Sequence, residues 1–416
     1  MRAEIITIGS ELVRGLVVDT NSAWMSKRLA TVGVPVDFHT SVADEPDRME
    51  AAIKLAASRS DVVMVAGGLG PTADDLTREI MGRAAGKPLV LHPPSLEVIA
   101  AMFQRFGRPM TENNRSQAYL PEGAEVIANP NGTAPGFCMT IGRAEFHVFP
   151  GVPHELYAMF DAFTIPRLRR MQSAPGVIQM RRLQCFGVGE SQVDSQVRHL
   201  MAHDRNPNIG LLVHNFVITV EITAHAADEA SADAMIARDE TEIRGILGDI
   251  VFGADDDTLA SVVARELMGR GLTFALAESC TGGLIASLLT EVPGVSQAFL
   301  AGVVSYSNES KQEFLGVPSD LIARHGAVSD PVARAMAEGV RRETGATVAL
   351  SVTGIAGPSG GTPDKPVGLV YIALADASAT DVRECRFTGN RDRVRMRAAM
   401  TALDMLRRWA ASQSSG

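Results

Sequence analysis

Short apolar runs alternate with helical patterns near both ends of this chain, and key runs are left through glycine-rich turns. AEIITIG reads as a strand, 21–32 as a helix, 49–58 as a second helix and DVVMVAGG as a buried strand. In the last third FALAES reads as a strand and CTGGLIASLLTEV as a helix. ATVALSVTG and VGLVYIALA are two strands joined by a Gly/Pro-rich loop. Such alternation predicts βαβ units, an α/β class and parallel sheets. In sheets of that kind ligands sit at the carboxyl ends of strands. GSE (Gly9–Glu11) and GGLGPTADD (Gly67–Asp75) both occupy that position.

The 416 residues leave room for two or three domains, at about 150 residues each. The predicted division is an α/β domain over 1–170, a small α+β module over 171–254 and a second α/β domain over 255–416. PRLRRMQSAPGVIQMRR, with Pro166 and Pro175, reads as an exposed hinge; a basic nucleic-acid patch is its other reading. GADDDTLA opens the last domain, its aspartates suited to a helix N-terminus. An arginine-rich amphipathic helix closes the chain.

Charge excludes some functions. The chain carries 39 basic and 48 acidic residues, a net charge of −9, so binding of nucleic acid through bulk positive charge is not expected. Four cysteines are scattered without a CxxC pair, against a zinc ribbon or disulfide framework and for a reducing compartment. Glu4, Glu11 and Arg14 interrupt the first apolar run, which is no secretory signal. No uncharged apolar stretch nears the length of a membrane span. A cytoplasmic protein without a membrane partner is expected. Only five of the basic residues are lysine: Lys27, Lys54, Lys87, Lys311 and Lys365. Arginine cannot accept a proton in the physiological range, so a retained lysine is notable, although any single one can be a solvated surface residue.

Two turns carry chemistry. The glycines of GGLGPTADD let backbone approach a ligand, and its amides can cradle an anion at the following helix start. Asp74 and Asp75 add carboxylates suited to a hard divalent cation; capping of the next helix would also explain them. AESCTGG (Ala277–Gly283) offers a similar anion seat. Cys280 there reads either as a nucleophile with a lowered pKa or as a small buried residue. His199 and His203 have helical metal-ligand spacing but no evident third ligand.

GSELVRG, VDTNS (Val18–Ser22), GGLGPTADDLT, NPNGTAPG (Asn129–Gly136) and PGVPHE (Pro150–Glu155) resemble the N-terminal domain of the CinA family, which is similar to the molybdopterin-binding fold. The resemblance implies a metal-dependent ADP-ribose pyrophosphatase yielding AMP and ribose 5-phosphate. It implies a divalent cation on Asp74, Asp75 and Glu11, with substrate contacts from Gly67, Gly68, Gly70, Thr72, Asn21 and Thr133. AESCTGG, GVSQAFLAGVVSYSNESKQEFLGV, SVTGIAGPSGGTPDKPVGLVY and FTGNRDRVR resemble the family's C-terminal domain. That domain implies deamidation of nicotinamide mononucleotide to nicotinate mononucleotide and ammonia, without metal or redox cofactor.

The family's catalytic serine maps onto Ser296 and its base onto Lys311, with Tyr306 between them. Without the resemblance Ser296 reads as a helix N-cap and Lys311 as an exposed helix residue. Ser279, Thr281, Gly282, Gly283, Thr353 and Gly354 are the expected substrate contacts, Arg393 the phosphate ligand and Lys365 a support for its loop. A homodimer is the expected assembly. The competing reading is a non-catalytic pterin-binding or protein-interaction module linked to competence or DNA damage.

Overall fold

The computed structural model describes residues 1–105, 107–171, 176–202 and 204–413. Two compact units divide the chain: Met1–Gln179 with Thr223–Met235, and Met180–Ile222 with Ile236–Gly416.

The first unit is built on β1 (Ala3–Ile8), β2 (Val36–Val42) and β3 (Val62–Ala66). A separate antiparallel pair, β4 (Leu89–Leu91) and β5 (Tyr119–Pro121), follows. Then come β6 (Glu125–Ile127), β7 (Gly136–Ile141) and β8 (Ala144–Phe149). The main sheet has the order β2-β1-β3-β8-β7-β6. It is parallel from β2 to β8 and antiparallel beyond, so the purely parallel expectation holds only for its first four strands. β1 and β3 are buried along their whole length because cores form on both faces. Side chains alternate between them: Ile6, Ile8, Val63 and Val65 enter one core. Ile5, Met64 and Ala66 enter the other, against Met25, Leu29 and Phe160.

β9 (Val177–Cys185), β10 (Asn208–His214), β11 (Val217–Ala226) and β12 (Val251–Ala254) form a four-stranded sheet of order β10-β11-β9-β12. The predicted hinge is largely taken up by regular structure. Pro166 lies in the helix Ile165–Met171 and β9 begins at Val177; Pro175 lies outside the described residues.

The last sheet comprises β13 (Phe274–Glu278), β14 (Phe299–Val304), β15 (Val348–Gly354), β16 (Leu369–Ala375) and β17 (Thr380–Arg386), in the order β14-β13-β15-β16-β17. β13 runs parallel to both neighbours, while β16 and β17 are antiparallel. Phe274, Leu276, Val348 and Leu350 pack on one face with Val263, Leu267, Leu403 and Leu406. Ala275, Ala277 and Ala349 pack on the other with Val332, Met336 and Val340. Among the described residues no helix is long and apolar enough to cross a membrane.

One crossing matters for the site below. The helix Asp330–Thr344 passes the end of the helix Asn308–Leu315 at Gly339, where a β-carbon would stand 2.0 Å from the Leu315 carbonyl oxygen. Gly339→Ala must push the two helices apart and is expected to cost about 1–3 kcal/mol, the range for overpacking. Urea denaturation measures this, and an unchanged unfolding free energy would show that the crossing has slack.

Candidate functional site

The carboxyl ends of β13 and β14 lie side by side because the strands are parallel, with Glu278 in register with Val304. Ser279 follows β13, and Ser305 and Tyr306 follow β14. The next helix, Asn308–Leu315, is capped by Ser307 and carries Lys311. The Lys311 Nζ donates to the Ser305 carbonyl at 2.6 Å and to the Ser279 Oγ at 3.1 Å. Its side chain is 1% exposed, and burial lowers its pKa below the usual 10.5. Among the described residues no carboxylate pairs with it. A serine hydroxyl therefore meets an amine that gives up its proton more readily than an exposed lysine.

Ser296 is not part of this pair. It is exposed in the turn Val295–Gln297 ahead of β14, and Phe299 of β14 is in register with Phe274, the first residue of β13. Ser296 thus lies at the amino ends of these strands and Lys311 beyond their carboxyl ends. About 16 Å of extended chain separates the two ends. The expected Ser296–Lys311 pairing is corrected to Ser279–Lys311.

Other expectations shift as well. Gly282 (φ +62°) and Gly283 (φ +88°) make the turn after Ser279 possible. The amides of Ile285 and Ala286 in the following helix do not await a ligand. They donate to the buried carboxylate of Glu278 at 3.2 and 2.9 Å, so the protein fills its own anion seat. Cys280 is buried and its thiol is pushed up to about 12, which removes the nucleophile reading and leaves the core one. Thr353 donates to the Ala327 carbonyl at 2.9 Å, so its hydroxyl is a framework group. Gly354 permits close approach of β16, since a β-carbon there would lie 2.6 Å from Val370 Cγ2. Lys365 ties its loop to the carbonyls of His325 and Val328.

Tyr306 is exposed; its hydroxyl accepts from Arg391 at 2.8 Å and makes no bond to Ser279 or Lys311. Arg391 also donates to the Gly357 carbonyl at 2.8 Å, and Arg395 to the Thr281 carbonyl at 2.9 Å. Arg393 instead lies 5.0 Å over the Phe216 ring and faces a different cavity. Arg395 stands at the serine turn and Arg391 beside Tyr306 and Gly357; both were missed in the sequence although their i, i+4 spacing places them on one helix face. The hydroxyls of Thr281 and Ser305 are buried beside the Ser279–Lys311 pair and have no hydrogen-bond partner among the described residues. Buried hydroxyls without partners are uncommon and suit contacts to a ligand.

In the first unit a cavity of about 580 Å³ gathers Glu11, Gly67, Gly68, Gly70, Asp74, Asp75 and Thr133. Asp44, Gln117 and Glu155 join them and were not singled out in the sequence, although Glu155 closes PGVPHE. Asn21 and Thr72 stand outside its lining. Asn21 holds the Gly151 carbonyl at 2.8 Å, and the Thr72 amide and hydroxyl donate to Asp75 Oδ2 at 2.8 and 2.6 Å. Asp75 therefore closes its own loop and does not cap the helix Thr77–Ala85, whose N-cap Leu76 has no side-chain cap.

The glycine loop is braced from below. Buried Arg78 donates to the carbonyls of Leu69 (2.5 Å) and Gly70 (3.0 Å). Three glycines vacate space for carboxylates. A β-carbon on Gly9, Gly70 or Gly132 would come within 2.5, 2.5 and 2.2 Å of Glu11, Asp75 and Glu155.

Among the described residues these carboxylates form no preassembled three-ligand cage; the one such group is Cys138, Glu145 and His147, within 4.8 Å. That group is closed to a cation. Arg167 donates to both Glu145 oxygens, and the His147 ring nitrogens bond Thr164 and Glu145. His199 is 3.2 Å from Glu242, and His203 lies outside the described residues.

Three family descriptions match the chain in order: a probable molybdopterin binding domain over residues 4–170, the damage-inducible protein CinA KH domain over 180–253 and the CinA C-terminal domain over 256–410. A CinA-like protein of Anaeromyxobacter sp. is 47% identical over 410 residues, 98% of each chain. This chain belongs to the CinA family. A second CinA-like protein, from Dictyoglomus thermophilum, is 44% identical over 408 residues, 98% of this chain and 99% of the relative. The crystal structure of competence/damage inducible protein CihA from Agrobacterium tumefaciens shares 40% identity with this CinA-family chain. It covers 36% of this chain and 94% of its own, with a TM-score of 0.35.

Burial of Lys311 has a pH signature. Its folded pKa lies below the unfolded value, so the unfolded chain binds more protons between the two, and stability rises with pH across that window up to about 10.5. Lys311→Met is expected to flatten this slope and to keep or raise stability at neutral pH. Urea unfolding across the alkaline range measures it, and an identical slope in both proteins would count against a buried, depressed Lys311.

Proposed function

We propose that the C-terminal domain hydrolyses the amide of nicotinamide mononucleotide, with Ser279 as nucleophile and Lys311 as base. The observation that carries this reading is the buried Lys311 amine 3.1 Å from the Ser279 hydroxyl. Neutral Lys311 takes the Ser279 proton as Oγ bonds to the carboxamide carbon. The amides of Cys280 and Thr281, on the turn after the nucleophile, are the nearest donors in sequence for the developing oxyanion. Protonated Lys311 then gives its proton to the departing nitrogen, the C–N bond breaks and ammonia leaves. Water attacks the resulting ester with Lys311 again as base; the C–O bond breaks, nicotinate mononucleotide forms and Ser279 regains its proton. Arg395 at the serine turn and Arg391 beside Tyr306 and Gly357 supply positive charge for the 5′-phosphate.

Ser279→Ala and Lys311→Arg should each lower ammonia release by about a thousandfold, the latter because charge is kept while proton acceptance is lost. Ser296→Ala should keep most turnover. An inactive Ser296→Ala beside an active Ser279→Ala would reverse the assignment.

For the N-terminal domain we propose divalent-cation-dependent hydrolysis of ADP-ribose. Support comes from the carboxylates around a glycine loop in one cavity. Small hard cations need only one or two protein carboxylates when substrate phosphates complete the shell, so the absence of a preassembled cage among the described residues still fits. Asp74, Asp75 and Glu11 would hold the cation, which when bound neutralises the diphosphate. The loop braced by Arg78 brings backbone close to the phosphates.

Asp75→Asn tests the carboxylate's charge. The asparagine oxygen can still accept from Thr72, so the thermal melt should hold while ADP-ribose hydrolysis falls at least about tenfold. A chelator should stop this activity and spare deamidation. Unchanged turnover and metal dependence in Asp75→Asn would confine Asp75 to its loop bond.

A further inference from the structure

Another cavity of about 580 Å³, in the second unit, takes no part in either proposed reaction. It lies where the turn Gly187–Gly189 faces β17 and the helix Arg391–Ser412. Arg383 reaches it from β17, on the strand face shared with Cys385 and Phe387. Arg393 and Arg397 reach it from one stripe of the helix, four residues apart.

Two of these guanidiniums, those of Arg393 and Arg397, lie against aromatic rings. Arg393 lies 5.0 Å over the Phe216 ring, and Arg397 lies 5.5 Å from Phe216 and 5.3 Å from Phe387. Stacking fixes the plane of a guanidinium while leaving its N–H donors free. Among the described residues none of Arg383, Arg393 and Arg397 pairs with an acid. Two acids do line the cavity. Asp404 is already taken by Arg407 at 2.7 Å and Arg408 at 2.8 Å. Glu190 alone then faces three arginines. In a chain of net charge −9, three like charges gathered on one concave wall repel one another unless an anion joins them.

We infer that this cavity binds a phosphate-bearing small molecule of nucleotide size, apart from both catalytic sites. Planar arginine forks bind phosphate oxygens two at a time. Val213, Phe216, Ile218 and Phe387 supply an apolar wall for the remainder of the ligand. The volume falls within the range usual for small-molecule pockets. The helix Glu190–Val197 also begins at this rim from Gly189 without a side-chain cap, which leaves its first amides to favour an anion.

The test is calorimetric titration of the full chain with inorganic pyrophosphate, with AMP and with a short single-stranded RNA. Arg383→Gln and the double variant Arg393→Gln/Arg397→Gln are compared with the native protein. Binding at the two catalytic sites is common to all, so the expected result is loss of one binding event, or its weakening by at least about tenfold. The remaining events and the deamidation rate should not change. All three side chains lie at exposed positions, and a thermal melt verifies folding. If a glutamine variant melts early, Arg397→Lys keeps the charge and loses the fork, and the same weakening is expected. Isotherms that match the native protein for pyrophosphate and AMP overturn the proposal. Binding of RNA at these arginines without binding of either small probe also overturns it.

Discussion

The burial of the Lys311 ammonium is the constraint around which the C-terminal domain is arranged. A lysine loses hydration when it is enclosed, and here a carbonyl and a hydroxyl replace water while no carboxylate among the described residues pairs with it. That environment keeps the amine ready to lose its proton. It depends on features remote from the amine. The parallel register of β13 and β14 brings Ser279 beside Ser305. Gly339 lets two helices cross closely enough to seat the one that carries Lys311. Glu278, which satisfies the next helix by its own carboxylate, stabilises the turn that presents Ser279.

The N-terminal domain answers the opposite electrostatic requirement. Its cavity is walled by carboxylates, and glycines make room for three of them, Glu11, Asp75 and Glu155. Among the described residues Arg78 forms no ion pair with any of them, although the charge of Asp75 acts on it. Its guanidinium is spent on two loop carbonyls below the cavity, and burial holds its pKa under the usual arginine value. The two domains share a general plan, since both set their chemistry at the carboxyl ends of parallel strands. They differ in the charge offered there: acids around one cavity, and an amine and an arginine around the serine turn.

Much of the candidate chemistry was legible along the chain. GGLGPTADD and AESCTGG mark strand-to-helix turns, and the family resemblance placed the base at Lys311, one of only five lysines. The pairing of Lys311 was not legible from motif order, because Ser296 and Ser279 both precede it. Strand direction decides between them: Ser296 enters β14 and Ser279 leaves β13. The arginines show the same limit. Arg391, Arg393, Arg395 and Arg397 sit in one run, but helical periodicity sends Arg391 and Arg395 toward Tyr306 and the serine turn and Arg393 and Arg397 toward the second cavity. A residue count along the chain does not convey that division.

The sequence by itself determined the α/β class and the turns at which backbone could meet a ligand, because side-chain periodicity and glycine are local properties. Family membership was likewise carried by intact motifs. Only the tertiary structure decided which serine meets the buried amine, that Glu278 takes the helix amides expected to hold an anion, and that Cys280 is a core thiol. Those outcomes depend on desolvation and on competition for hydrogen-bond donors. Both are set by groups that the folded chain brings together and that sequence spacing keeps apart.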